Sequence, residues 1–309
     1  MSGEGVEESR SVRDALKAYG FASYIDYLCE IARTALSREL LPHVNVGNLS
    51  EDELRALRRF VPSMGMMLET TDARLRRLEA HRRAPDKEPA RRLETLRAAG
   101  RAGVPFTTGL LVGIGEDKRA RFETLQAIAE IARAYGHIQE VIVQPFTPHA
   151  GTALERRAPP GFDELRETVE AARSLLPTEV AVQIPPNLAP RFVELVEAGA
   201  RDLGGISPDG DRINPLERWL APEAYAARLA RHGFNLQPRL AVYERWISTR
   251  WLAPTLARAV ERVRARLPIL CVPHVAAREQ TPSAAKGHAP GRPSASTSEI
   301  EDSFARAEA

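Results

Sequence analysis

Pro105-Phe-Thr-Thr-Gly109-Leu-Leu-Val-Gly113-Ile-Gly115-Glu116 is the stretch on which the reading of the fold turns. Phe106 to Val112 reads as a short buried strand, and it stops at two glycines and an acid. Glycines at a strand end let a ligand come close to the backbone. A phosphate-cradling loop would need Gly-Lys followed by Ser or Thr, which is absent. The flanks are helical: amphipathic patterns cover about 89–102 before the strand and 117–135 after it. Helix, strand, helix is the rhythm of a βαβ unit.

The same alternation extends both ways. Apolar runs at Leu40–Val46, Met64–Glu69, Glu140–Phe146, Glu179–Ile184 and Asp202–Ile206 read as further strands. Between them lie helices near 72–80, 161–175 and 188–198, and one opened by Ser50 with Glu53 three residues on as a capping box. The chain begins with two helical patterns: one capped by Ser11 and ended by Gly20, the other built on Tyr24, Leu28, Ile31 and Ala35. Cys29 lies beside that second stripe as a small core residue. Helices are also expected at 221–232 and 252–266, with Trp219, Tyr243, Trp246 and Trp251 as packing anchors. The fold class is α/β: a partial (β/α) TIM-like barrel of about six strands with C-terminal helices. It fills residues 1–271; 272–309, rich in Ala, Ser, Pro and Gly, is expected to be a disordered tail. A closed barrel has eight strands. Two units of roughly 30 residues each are therefore expected to be missing, ahead of residue 1.

Polar and glycine residues gather at the C-terminal strand ends, the face that carries the active site in such barrels. They include His43, Asn45 and Gly47, then Glu69, then Gly113 to Glu116, Gln144, Gln183, Asn187 and Gly204.

Composition narrows the functional classes. Lys and Arg total 43 against 41 acids, so no clustered positive excess marks a nucleic-acid or membrane surface. The runs Arg74-Leu-Arg-Arg77 and His81-Arg-Arg83 sit among acids and read as solvated helix faces. There is no long apolar span and no secretory h-region. Two cysteines, Cys29 and Cys271, exclude a disulfide framework, and a cytoplasmic setting fits. An ordinary acid–base barrel enzyme has little support, because no Lys or paired carboxylates stand together at strand ends.

Gly109-x-x-x-Gly113-x-x-Glu116 resembles the motif of radical S-adenosylmethionine (SAM) enzymes that lies against the adenine of SAM. Six further runs are similar to the CofG-type subunit of F0 (7,8-didemethyl-8-hydroxy-5-deazariboflavin) synthase, over about residues 12–265. They are Leu41 to Ser50, Ser63 to Thr71, His81 to Lys87, Tyr135 to Gln144, Gln183 to Leu188 and Gly204 to Pro208. The resemblance implies a radical SAM lyase of coenzyme F420 biosynthesis. It would cyclise a tyrosine–ribitylaminouracil adduct with loss of ammonia, using a [4Fe-4S] cluster and SAM. A CofH-type partner subunit or fused domain would supply the adduct. Carried over residue by residue, Glu69, Gly113 and Glu116 would bind the cofactor. His43, Asn45, Thr108, Gln144, Gln183 and Asn187 would hydrogen-bond the uracil and ribityl groups. No catalytic residue is assigned.

Two departures stand out. The family's Cys-x3-Cys-x2-Cys motif and the Gly-Glu loop after its second strand are both absent, so the chain offers no cluster ligands and is expected to be inactive alone. Pro145 and Thr147-Pro-His149 occupy a loop where relatives are expected to carry Asn and a basic residue, with His149 an exposed loop residue. The alternative reading is a non-catalytic remnant or binding module of the same fold.

Overall fold

The structure is a computed structural model describing residues 5–78, 80–207, 210 and 216–267, and the backbone of 272–277. Five parallel strands form one sheet in chain order: β1 (His43–Val44), β2 (Ser63–Gly65), β3 (Phe106–Val112), β4 (Ile138–Pro145) and β5 (Ala181–Gln183). The sixth expected strand survives as a single parallel bridge, Gln183 to Asp202. The chain leaves the sheet there because Gly204 takes φ +71° and its N–H bonds the Asp202 carboxylate at 2.6 Å.

The helices follow the sequence patterns closely where the apolar period is long. α4 (Pro89–Ala102), α5 (Lys118–Tyr135) and α6 (Phe162–Leu175) alternate with β3, β4 and β5, after α1 (Arg10–Ala18), α2 (Tyr24–Ser37) and α3 (Glu51–Leu57). Ser50 and Glu53 form the expected capping box on α3. α7 (Phe192–Glu197), α8 (Pro222–Ala230) and α9 (Pro254–Arg264) are shorter than or equal to their expected spans.

Sheet faces are set by register. Thr107 pairs with Glu140, Gly109 with Ile142, and Leu111 with Gln144; Glu140 pairs with Ala181 and Ile142 with Gln183. These residues share the inner face. Thr108, Leu110, Val112, Val141, Val143 and Val182 on the outer face are fully buried, as a period of two requires when helices cover that side.

Several expectations need correction. The helix read at 72–80 is one 3-10 turn, Ala73–Arg76. Arg76 donates to the carbonyls of His81 (2.5 Å) and Ala84 (2.7 Å), which folds the chain back as a loop. The two basic runs therefore lie on turns, not helix faces. The first helix starts at Arg10, one residue before its expected cap Ser11. An unforeseen strand, β6 (Phe234–Arg239), pairs antiparallel with β7 (Val272–Ala277). Its half-exposed alternation and Pro238 gave a weak strand signal. The tail expected from 272 thus begins with six residues whose backbone forms a strand; 278–309 lie outside the described residues. A second apolar cluster, including Leu240, Val242, Trp246, Trp251, Leu252 and Leu256, packs against Leu36 and Leu41 of the N-terminal region.

Candidate functional site at the strand ends

β2 carries the feature that shapes the mouth of the inner face. Gly65 pairs with Thr107, and Glu69 bridges Leu110. The four residues 66–69 that follow β2 therefore oppose three on β3, a bulge, and Glu69 takes φ +65° to absorb it. The Glu69 N–H donates to Gly109 O at 2.9 Å, and Leu111 N–H donates to Glu69 O at 3.1 Å. Its carboxylate receives His81 Nε2 at 2.8 Å and Lys87 Nζ at 2.5 Å. Burial alone raises the pKa of this acid. His81, Lys87 and nearby Arg92 outweigh that and hold it at about 2. Both carboxylate oxygens are thus engaged in anchoring loop 70–88 over the strand end.

Glu116 does the same for the next loop. Its carboxylate accepts the N–H groups of Gly113 (2.8 Å), Ile114 (2.8 Å) and Gly115 (3.1 Å), and Arg121 at 3.1 Å. Gly113 (φ +98°) and Gly115 (φ +121°) take backbone angles that side chains resist, and a Cβ at Gly113 would stand 2.8 Å from Pro160. Arg157 Nε donates to Gly113 O at 2.5 Å. The result is a rigid loop whose backbone is fixed next to the half-exposed Leu111 and Gln144.

The other candidates divide by position. Gln144 lies half-buried at the mouth beside Leu111. Gln183 packs on Gly204, where a Cβ would sit 2.3 Å from its amide nitrogen. Asn187 is half-buried in the turn after β5, and Asn45 is exposed after β1. These share the strand-end side with Glu69, Gly113 and Glu116. Thr108 is instead on the outer face, fully buried, its hydroxyl accepting Leu68 N–H at 3.3 Å. His43 sits at the opposite end of the inner face, its Nδ1 2.8 Å from Ser63 Oγ. Burial pushes its imidazole down to about 4, with Arg239 adding to the shift. His149 is half-buried, in a turn closed by Thr152.

Sequence reading missed the residues that hold these loops, His81, Lys87, Arg121 and Arg157. His81 lay in a quoted run but was read as part of a solvated face. It is 2% exposed.

No family model matches the chain. It is 44% identical over 245 residues to the 7,8-didemethyl-8-hydroxy-5-deazariboflavin synthase of Archaeoglobus fulgidus, covering 79% of this chain and 74% of that one. The protein of the same name from Methanoculleus marisnigri is 44% identical over 255 residues (82% and 75%). That from Methanosarcina acetivorans is 41% identical over 262 (84% and 78%). Among solved structures, methylornithine synthase superposes with a TM-score of 0.52 at 20% identity, over 67% of this chain and 62% of that chain. This is a likeness of fold.

Proposed function

Since the chain belongs to the 7,8-didemethyl-8-hydroxy-5-deazariboflavin synthase family, we propose that it forms the SAM- and substrate-holding part of that synthase. Its place is in the cytoplasmic making of coenzyme F420, as a radical SAM lyase that closes the deazaflavin ring of a tyrosine–ribitylaminouracil adduct. A CofH-type partner or fused domain supplies the adduct. The observation that carries this reading is the identity to named synthases, and the strand-end geometry supports it.

The residues fit SAM. The loop Gly113–Glu116 offers a fixed backbone edge beside Leu111. Such an edge, with the half-exposed Leu111 beside it, suits a flat base. Glu69 holds its negative charge over the whole working pH range and pairs it with His81 and Lys87, so its part in the site is to fix the loop 70–88 at the strand end. Gln144, Gln183, Asn187 and Asn45 give neutral donors and acceptors for a polyhydroxylated substrate. When bound, SAM and a reduced cluster supply radical chemistry; these side chains orient the substrate and exclude water.

The cluster does not fit. The chain has two cysteines, Cys29 and Cys271. Cys29 is half-buried in α2 and burial pushes its thiol up, against the thiolate a cluster needs. Among the described residues no group of three His, Cys, Asp or Glu is arranged to hold a metal. Radical generation is therefore not assigned to residues 1–309, and the chain alone is expected to hold SAM without cleaving it. The same cysteine count favours the second reading, a binding module of this fold without turnover.

The test is anaerobic reconstitution with iron, sulfide and a reductant, followed by SAM, tyrosine, ribitylaminouracil and a CofH-type partner. Calorimetric SAM binding with no 5′-deoxyadenosine and no F0 fluorescence is expected. Turnover would overturn the conclusion that residues 1–309 do not generate the radical, and failure to bind SAM would overturn the holding role.

A further inference from the structure

At the end of the inner face opposite the mouth, the segment Arg239–Trp246 crosses the starts of the strands as a strap. Ala241 O accepts Ser63 Oγ at 3.0 Å and Gln139 Nε2 at 3.0 Å. Tyr243 N–H donates to Gln139 Oε1 at 3.2 Å, and Trp246 Nε1 to Gly136 O at 3.1 Å.

The strap is fastened through a buried charge cluster. Arg239 donates from Nη2 to Glu140 Oε1 at 2.8 Å and from Nε to Asp202 Oδ2 at 2.5 Å. Tyr243 OH donates to Asp202 Oδ2 at 2.6 Å and lies 3.2 Å from Glu140 Oε1. Thr107 Oγ1 donates to Glu140 Oε2 at 2.9 Å, and the Arg239 guanidinium stacks 4.1 Å over the Tyr243 ring. Glu140 is 5% exposed and Asp202 fully buried.

Two carboxylates here face one guanidinium, so one negative charge has no cation. The titratable neighbours do not supply one. His43 on β1 is held neutral by burial. Glu179 and Arg245, 3.6 Å apart at the rim, pair with each other. A buried uncompensated carboxylate is costly and takes a proton instead.

We propose that Glu140, Asp202, Arg239 and Tyr243 form a one-proton latch that fastens the strap to the barrel floor and loosens when the proton leaves. Burial first, with Asp202 adding and Arg239 opposing, pushes Glu140 up to about 7, so the latch titrates near neutrality. The folded state then binds more protons than the unfolded chain between the usual carboxylate range and about 7. Strap stability falls as pH rises through that window and levels off above it.

The latch makes no use of the reaction assigned above, and its test reads the strap. Hydrogen exchange of the amides at Leu240–Trp246 is compared between wild type and Glu140→Gln from pH 5 to 8. The ratio of the two opening constants is expected to grow by up to about tenfold per pH unit below about pH 7 and then plateau. A ratio that stays constant overturns the proposal. Isotope-edited infrared spectroscopy of the wild type keeps the test open if the variant does not fold. A protonated buried carboxyl band at pH 6 that disappears by pH 8 is expected, and its absence at pH 6 overturns the latch.

Discussion

Gly109 lies in the motif that suggests nucleoside binding, yet the structure gives it a task within the fold. A Cβ built there would stand 2.3 Å from the carbonyl oxygen of Ile142, 2.8 Å from the Ile142 Cβ and 2.8 Å from the Met67 terminal methyl. The methyl can turn away; the carbonyl belongs to the β3–β4 ladder and cannot. An ordinary contact needs more than another ångström, so Gly109→Ala must spread two central strands that pair along seven residues of β3. Forced overpacking costs about 1–3 kcal/mol, and a backbone obstacle puts this case at about 3 kcal/mol or above. At an unfolding entropy of roughly 2.1 cal/mol/K per residue, that corresponds for this chain to a fall in Tm of roughly 5 °C. The control is Gly205→Ala, where nothing lies within 4 Å. Thermal unfolding followed by circular dichroism distinguishes the two. A Gly109→Ala protein melting within a degree of wild type would refute the argument that β4 packs directly on this glycine.

Glu69→Gln removes the charge between His81 and Lys87 and is expected to cost about 3 kcal/mol in urea unfolding. Because Glu69 is held at about 2, its contribution is complete above the unfolded carboxylate range and fades as pH falls toward 2. The gap between the two proteins should narrow over that interval and stay constant above it. Glu116→Gln leaves one acceptor oxygen for three backbone N–H groups. Faster hydrogen exchange at Gly113–Gly115 is expected, with a loss of about 1–3 kcal/mol. Ser50→Ala breaks the capping box of α3 and should cost about 1 kcal/mol, read as a shift in the urea midpoint at unchanged slope.

Legibility in the sequence depended on whether the deciding signal was local. Ser50 and Glu53 announce their own cap, and α4, α5 and α6 show long apolar periods, so these elements appear where the pattern puts them. β3 was plain because seven apolar or small residues end in glycine. Site residues were harder, since strand alternation puts only every second residue on the inner face. Thr108, read as a substrate contact, has the same chemistry as its neighbour Thr107, and register alone puts them on opposite faces. The Glu69 bulge and the loop it anchors depend on His81 and Lys87, 12 and 18 residues away. The floor cluster joins Glu140 to Arg239 and Tyr243 across 99 and 103 residues, and no periodicity reports such a pairing.

The most direct test of the central claim is hydrogen exchange of the chain with and without SAM. Protection is expected at Met67–Thr70, at Leu111–Glu116 and around Gln144, where the strand ends meet, and not at the strap Arg239–Trp246. Saturating SAM that leaves those strand ends unprotected, or protects only the strap, would contradict the reading of this chain as the SAM-holding part of a deazaflavin synthase.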